Sequence, residues 1–271
     1  MPVSRKMLSL GKDYAVKKRM RVSVRRLVGL GLPLTNGDNA VSRAIWNLKH
    51  WGLCQFLGTK TPFLSQYGQD MVVAELLPQR NGTFLDIGAF DGMSFSNSFY
   101  LEKHLGWTGV CVEPNPVQFG RLQECRSCHC EQAAVVARAT DEMEFTILAG
   151  EGAMLSGLCS VASGEKTSRI ERMMAEGRTH MEKVRVSCRT VPEILGNASL
   201  TKVDFISLDI EGGELEIVKA LDFDEMGTSV IAVEANNNSR ELAVCLKKWK
   251  FDLITILGDD CIFYRSRVGQ P

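Results

Sequence analysis

Phe84-Leu-Asp-Ile-Gly-Ala-Phe-Asp-Gly92 is an apolar run that stops abruptly in a glycine-bearing turn with an acid on each side. Short apolar runs of this kind are buried strands of an α/β sheet, and small ligands sit where such strands end. The reading places a strand over Thr83 to Ile87. Gly88 then lets the backbone pass close beneath a ligand, while Asp86 and Asp91 supply carboxylates that accept from an ammonium or an ordered water. A pyrophosphate would instead need bare amides at a helix N-terminus, from a G-x-G-x-x-G or G-x-x-x-x-G-K-[ST] turn, and neither pattern follows this strand.

Some twenty residues on, a second apolar strand, Gly109 to Val112, ends in Glu113, where a carboxylate can accept from both hydroxyls of a ribose. An acid-flanked first turn followed by an acid closing the second strand suits a nucleoside with a cationic amino-acid tail, and S-adenosylmethionine is such a molecule. The string by itself also describes an ordinary tight turn. The second acid at this distance is what favours the cofactor.

Outward from this stretch, strands and helices alternate, which implies parallel βαβ units. Helices are expected over Met71–Leu77, Ser94–His104, Val117–Glu124, Leu215–Leu221 and Ser239–Trp249. A third strand is expected near Cys128–Val136, an antiparallel excursion at Met143–Leu148, and further strands at Val184–Cys188, Asp204–Ile210 and Ser229–Val233. Phe251–Leu257 and Asp260–Tyr264, joined by Gly258-Asp259, read as a hairpin that puts one antiparallel strand at the sheet edge. The expected fold is α/β, a Rossmann-like doubly wound seven-stranded sheet of the class I methyltransferase type, preceded by a basic and helical N-terminal extension. The strand ending in Asp209 should lie beside the first strand, so that Asp209 and Glu211 face the same cleft as Asp86. In a purely structural role these two acids would cap and charge the first turn of the following helix.

At 271 residues, 45% hydrophobic and 24% charged, the chain suits one large soluble α/β domain with an appendage. The expected division is a basic arm and helical appendage over 1–60, with an amphipathic helix at Val41–Leu57, and the main domain over 61–267. Residues 149–182, rich in Gly, Ser, Met and charge, read as a lid or substrate-binding insert. Net charge is zero, yet residues 1–26 carry nine Lys or Arg against the single acid Asp13, a local +8 that leaves −8 for the rest. Such an arm suits an anionic membrane surface, nucleic acid, an organelle transit peptide or a solvated tail. No apolar run approaches the ~20 residues that cross a bilayer, so no transmembrane segment is expected.

Nine cysteines, an odd number scattered over apolar and helical positions, point to reduced thiols and a cytoplasmic compartment, with organelle targeting by the basic arm as the alternative. Cys125, Cys128, His129 and Cys130 offer zinc ligands, but no second C-x-x-C supplies the other half of a structural site. No metal is assigned.

Six stretches in order, S-Q-Y-G-Q-D (65–70), F-L-D-I-G-A-F-D-G (84–92), S-N-S-F-Y-L-E (96–102), G-W-T-G-V-C-V-E-P-N-P (106–116), E-Q-A-A-V (131–135) and D-F-I-S-L-D-I-E-G-G-E (204–214), resemble the FkbM family of S-adenosylmethionine-dependent methyltransferases. The likeness spans about residues 63 to 265. It implies methyl transfer to a hydroxyl of a sugar, glycan or small polyhydroxylated metabolite. By position it implies Asp86, Gly88 and Asp91 around the methionine part of the cofactor, Glu113 on its ribose, and Gln132 and Ala133 beside its adenine. It further implies Asp209, Glu211 and Asn97 around the methyl group and the acceptor. Many relatives carry His where this chain has Gly213, so a base from that position is missing here. His180, in the insert, is a weaker candidate for a base. Two other readings compete: an RNA methyltransferase that grips phosphates through the basic arm, and a non-catalytic cofactor-fold scaffold tethered by that arm.

Overall fold

The computed structural model describes residues 61–150, 156–158, 164–235 and 238–265. The basic arm and the helix expected at Val41–Leu57 lie outside the described residues. Among the described residues eleven strands are formed: β1 (Thr83–Ile87), β2 (Thr108–Val112), β3 (His129–Glu131), β4 (Ala134–Val135), β5 (Glu142–Gly150), β6 (Gly157–Leu158), β7 (Thr179–Arg189), β8 (Phe205–Leu208), β9 (Val230–Glu234), β10 (Asp252–Leu257) and β11 (Asp260–Tyr264). The helices are α1 (Gln69–Leu76), α2 (Phe99–Leu105), α3 (Pro116–Cys125), α4 (Gly164–Ala175), α5 (Val191–Asn197), α6 (Glu214–Ala220), α7 (Phe223–Met226) and α8 (Ser239–Lys247).

The main sheet has seven strands in the order β10-β11-β9-β8-β1-β2-β3. Its central strands are buried on both faces, as parallel sheets covered by helices are. Leu85, Ile87, Val110, Val112, Ile206 and Leu208 pack on one side with α5, α6 and α8. Phe84, Cys111, Phe205 and Val230 pack on the other with α1 and α2. The strand ending before Asp209 pairs in parallel with β1, from Phe84↔Phe205 to Ile87↔Leu208, as the sequence reading expected.

The hairpin differs from expectation. Its returning strand β11 inserts between β9 and β10 and runs antiparallel to both, so the reversed strand lies inside the sheet and the edge strand is β10. The reason is burial: Cys261, Ile262 and Phe263 are fully buried, whereas Leu253 and Ile256 of β10 are exposed. The Gly258 turn packs on Tyr67, and a Cβ at Gly258 would collide with that ring.

A second expectation fails at Ser94–His104, where the helix begins only at Phe99. Asp91 accepts hydrogen bonds from the amides of Met93 (3.0 Å) and Ser94 (2.7 Å), and Ser96 Oγ accepts from Ser98 and Phe99 N. These side-chain bonds compete with helical ones and hold 91–98 as a loop, with Phe95 in the left-handed region at φ 59°. The strand expected over Cys128–Val136 also splits. β3 joins the main sheet beside β2, while β4 crosses to a second sheet of order β4-β7-β5-β6.

That second sheet is built largely from the expected antiparallel excursion. β5 pairs with β7 from Glu142↔Ser187 to Gly150↔Thr179, so part of the 149–182 stretch extends a regular ribbon. Ala134, Phe145, Val186 and Cys188 form its small core. Exposed Glu144–Lys183 and Glu142–Arg185 pairs cross it at 2.7 and 2.9 Å and add little stability in water. α4 lies within the stretch read as an insert, directly before β7. The short helices α5 and α7 carry local start signals that the sequence reading passed over: Thr190 and Glu193 form a capping box at α5, and Asp222 caps α7.

Candidate active site

A cleft of about 650 Å³, open to solvent, lies at the C-terminal ends of β1, β2 and β8. Strand pairing continues into its floor: Gly88 and Ala89 N both donate to Val112 O, at 2.9 and 3.0 Å, and Asp209 N donates to Ile87 O at 3.0 Å. Gly88 sits at φ 85°, and a Cβ there would overlap the carbonyl oxygen of Asp209. Only glycine lets the two strand ends approach this closely.

Glu113 closes one side of the cleft and is buried. Its Oε2 accepts from Phe90 N (2.9 Å) and its Oε1 from Asn115 N (2.8 Å). A carboxylate has about four acceptor positions, so capacity for two hydroxyl donors remains. Burial pushes the Glu113 pKa up to about 7, against the opposing pull of those two amides. Pro114, Ala133, Val135 and Phe145 provide apolar walls, and Ser156, just before β6, adds a hydroxyl. Phe90 holds φ 50°, an uncommon conformation for a bulky residue at the edge of a site.

Opposite Glu113, the turn after β8 presents Asp209, Ile210 and Glu211. Neither acid caps α6, whose N-cap is Gly213. Instead the buried Glu214 folds the turn, its Oε1 accepting from Ile210 N (3.3 Å) and Gly212 N (2.7 Å), with Glu211 at φ 63°. Asp209 is open to the cleft, yet its carboxyl is closely surrounded by protein. That crowding, followed by the charges of Glu234, Asp260, Glu211 and Glu214, raises its pKa well above the usual carboxylate range. Water reaching Asp209 moderates the shift without changing its direction. Asp260, pushed up to about 6 by burial, accepts a hydrogen bond from Gln69 Nε2 at 2.5 Å. Carboxylate oxygens of Asp209, Glu211 and Glu234 lie within 4.8 Å of one another. Such a set is able to hold a hard cation, but acid clusters are common without one.

Five of the residues singled out from sequence, Gly88, Glu113, Ala133, Asp209 and Glu211, come together in the lining. Four do not. Asp86 lies beneath the turn, buried, accepting from Ser98 Oγ and facing Arg126 Nη1 at 3.9 Å. Burial raises its pKa and Arg126 opposes the rise. Asp91 is committed to its own turn, where it also accepts from Ser94 Oγ at 2.7 Å. Asn97 donates from Nδ2 to Ser207 Oγ at 3.1 Å, and its buried Oδ1 has no hydrogen-bond partner among the described residues. Gln132 is exposed. His180 is exposed on β7 opposite Ala149, outside the lining.

Sequence reasoning missed Phe90, Phe145, Ser156 and Arg126. Phe90 lies in the turn directly after β1, whereas Phe145 and Ser156 are brought to the cleft by the pairing of the second sheet. Arg126 is buried with Glu102 (2.6 Å), Ser98 Oγ (2.9 Å) and Gly92 O (3.2 Å), and nothing in its local sequence marks it.

The chain matches the Methyltransferase FkbM domain over residues 86–253. No curated protein matches it. Among solved structures, it is similar to a methyltransferase FkbM from Methylobacillus flagellatus KT, at 13% identity and TM-score 0.42, with 91% of this chain and 59% of that chain covered. It is also similar to a TehB-like SAM-dependent methyltransferase from Corynebacterium glutamicum, at 11% identity and TM-score 0.37, with 83% of this chain and 99% of that one covered. A third is a precorrin-6y C5,15-methyltransferase from Geobacter metallireducens, at 12% identity and TM-score 0.39, covering 76% and 93%. The domain match takes in most of the described residues, from the acid at the end of β1 to the start of β10, and by it the chain belongs to the FkbM family of S-adenosylmethionine-dependent methyltransferases.

Proposed function

We propose that this methyltransferase acts on a hydroxyl group of a sugar, glycan or small polyhydroxylated metabolite, with Asp209 as the base. The observation that carries this reading is the crowding of Asp209 by Glu234, Asp260, Glu211 and Glu214. An aliphatic hydroxyl is a weak nucleophile that gains from a base within reach. The surrounding protein, and after it the neighbouring negative charge, gives Asp209 a stronger hold on a proton than an ordinary carboxylate has.

The cleft suits S-adenosylmethionine in three respects. The close Gly88–Asp209 approach leaves bare backbone at the floor, Glu113 retains acceptor capacity for ribose hydroxyls, and Pro114, Ala133 and Val135 offer apolar surface to a flat base. When bound, this cofactor supplies a sulfonium methyl that is already a strong electrophile. The work left to the chain is positioning and water exclusion. Glu113 fixes one end of the ligand, the acids at the other end favour its positive charge, and Asp209 takes the proton of the acceptor hydroxyl. Glu211, beside it in the lining, is the second candidate for that role. Asp86, with Ser98 and Arg126, acts from beneath by holding the turn that carries Gly88.

The test is transfer of labelled methyl groups from S-adenosylmethionine to a panel of monosaccharides, oligosaccharides and polyols, with RNA and simple amines as comparison acceptors. Label found on hydroxyl oxygen supports the reading. Label confined to nitrogen or to RNA sinks it.

A further inference from the structure

Three thiols lie on one side of the main sheet, away from the cleft lining. Cys111 is on β2, paired in register with Asp86 of β1 and with Cys130 of β3. Cys128 sits in the turn between α3 and β3, two residues after Arg126. Its Sγ is 3.5 Å from Cys111 Sγ, and the Cys130 thiol donates to the Cys128 carbonyl at 3.6 Å. Cys111 is fully buried, whereas Cys128 and Cys130 are partly open to solvent.

We propose that Cys128 and Cys111 form an oxidation site, in which Cys128 reacts with a hydroperoxide and Cys111 resolves the product as an intramolecular disulfide. The geometry supplies both halves. Cys128 is reachable, and the sulfur poised next to it belongs to a residue that solvent does not reach. Closing the 3.5 Å gap to a bond of about 2.05 Å brings the two sulfurs about 1.5 Å closer. Pairing of Cys128 with Cys130 would instead close a ring across a single intervening residue.

The charges around the pair favour the same division of labour. The contacts with Cys111 and Cys130, with Arg126 adding its positive charge, hold the Cys128 thiol below the ordinary range. Burial, and its contact with Cys128, push Cys111 up. Glu102 is the nearby acid opposing the Cys128 thiolate, and Asp86 bears on Cys111. Low-pKa, accessible thiolates beside a second thiol are the ones that oxidise selectively.

The chemistry balances in two steps. The Cys128 thiolate attacks the O–O bond of the peroxide, forming S–O, and the leaving alkoxide or hydroxide takes a proton from solvent. Cys111 sulfur then attacks the sulfenic sulfur, S–S forms as S–O breaks, and the departing hydroxide leaves as water with the Cys111 proton. The two thiols are oxidised by two electrons and the peroxide is reduced. The proposal stands independently of the methyl acceptor.

The test uses the reduced full-length protein and hydrogen peroxide, followed by alkylation of remaining thiols and peptide mapping. The tryptic peptide spanning 127–138 carries both Cys128 and Cys130, so Cys130→Ser is mapped alongside the wild type. The expected result is a Cys111–Cys128 cross-link in both, lost in Cys128→Ser. In Cys111→Ser, dimedone should trap a sulfenic acid on Cys128. At about pH 5.5, iodoacetamide should label Cys128 at least about tenfold faster than Cys125 in the untreated protein. A wild-type cross-link involving Cys130, or oxidation of Cys125 or Cys245 while Cys128 stays reduced, would overturn the proposal. Fragmentation of the cross-linked wild-type peptide, which places the alkylated thiol at Cys128 or Cys130, decides even if a variant fails to fold.

Discussion

Arg126 Nη1 stands 3.9 Å from Asp86 Oδ2, with both side chains out of solvent, directly below the turn that forms the cleft floor. The same guanidinium pairs with Glu102 at 2.6 Å and spans Gly92 O and Ser98 Oγ. One buried cation therefore serves two carboxylates from β1 and α2.

Replacing it exposes what the pair contributes. Arg126→Met should cost about 3–5 kcal/mol, because it leaves Asp86 buried without a counter-charge and Glu102 with Lys103 alone. Urea unfolding monitored by circular dichroism measures this directly. A loss below about 1 kcal/mol would show that water replaces the guanidinium and that the network does not hold the floor.

The close approach at Gly88 makes a second prediction. Gly88→Ala places a Cβ onto the Asp209 carbonyl at a backbone dihedral unfavourable for alanine, which costs on the order of 1–3 kcal/mol in strain before any repacking. Repacking has to push β8 from β1, so S-adenosylmethionine binding should fall more than stability does. Calorimetric titration compared with a melting curve separates the two. Unchanged affinity would mean that the cofactor does not use this floor.

Glu113 sets a pH dependence with a definite sign. Its pKa is raised to about 7, so it holds a proton in the fold over a range where the unfolded chain has lost it. Asp70 and Asp260, raised to about 6 by burial, act in the same direction. Their contribution is fully present below about pH 4 and declines as pH rises to about 7, so the ligand-free protein should lose stability across that window. Binding should behave oppositely, since ribose hydroxyls need the ionised carboxylate. Affinity for S-adenosylmethionine should tighten as pH rises through about 7 and lose that dependence in Glu113→Gln. A Glu113→Gln profile matching the wild type would remove Glu113 from the ribose role.

Asp209 should separate chemistry from binding. Asp209→Asn keeps the shape and removes the base, so turnover should drop roughly 100-fold or more with cofactor affinity within a few-fold of wild type. Because the acids are assigned proton chemistry, wild-type turnover should survive a chelator. Loss on chelation with recovery on adding Mg²⁺ or Mn²⁺ would reassign Asp209, Glu211 and Glu234 as ligands.

Much of the fold was legible because it rests on local pattern. Apolar runs such as Phe84–Ile87 and Phe205–Leu208 can only be buried strands, and their alternation with amphipathic helices dictates a parallel sheet. Acids at strand ends, Glu113 and Asp209, were legible as cleft residues for the same reason: a strand's C-terminal end fixes where its next side chain goes. The Ser94–Ser98 loop was misread as helix because Asp91 and Ser96 take over backbone amides that the helical pattern assigned to carbonyls.

What the sequence by itself determined was the parallel core, the order of its elements and the acids that close β2 and β8. Tertiary structure decided the rest: β11 entered the sheet interior, and residues near 142–150 and 179–189 built a second sheet whose Phe145 reaches the cleft. It also turned Asp86 downward onto Arg126 and brought Cys111 against Cys128. The physical reason is that periodicity records which residues are buried, not which distant strand buries them. Only the packed chain settles which partner each buried charge or thiol finds.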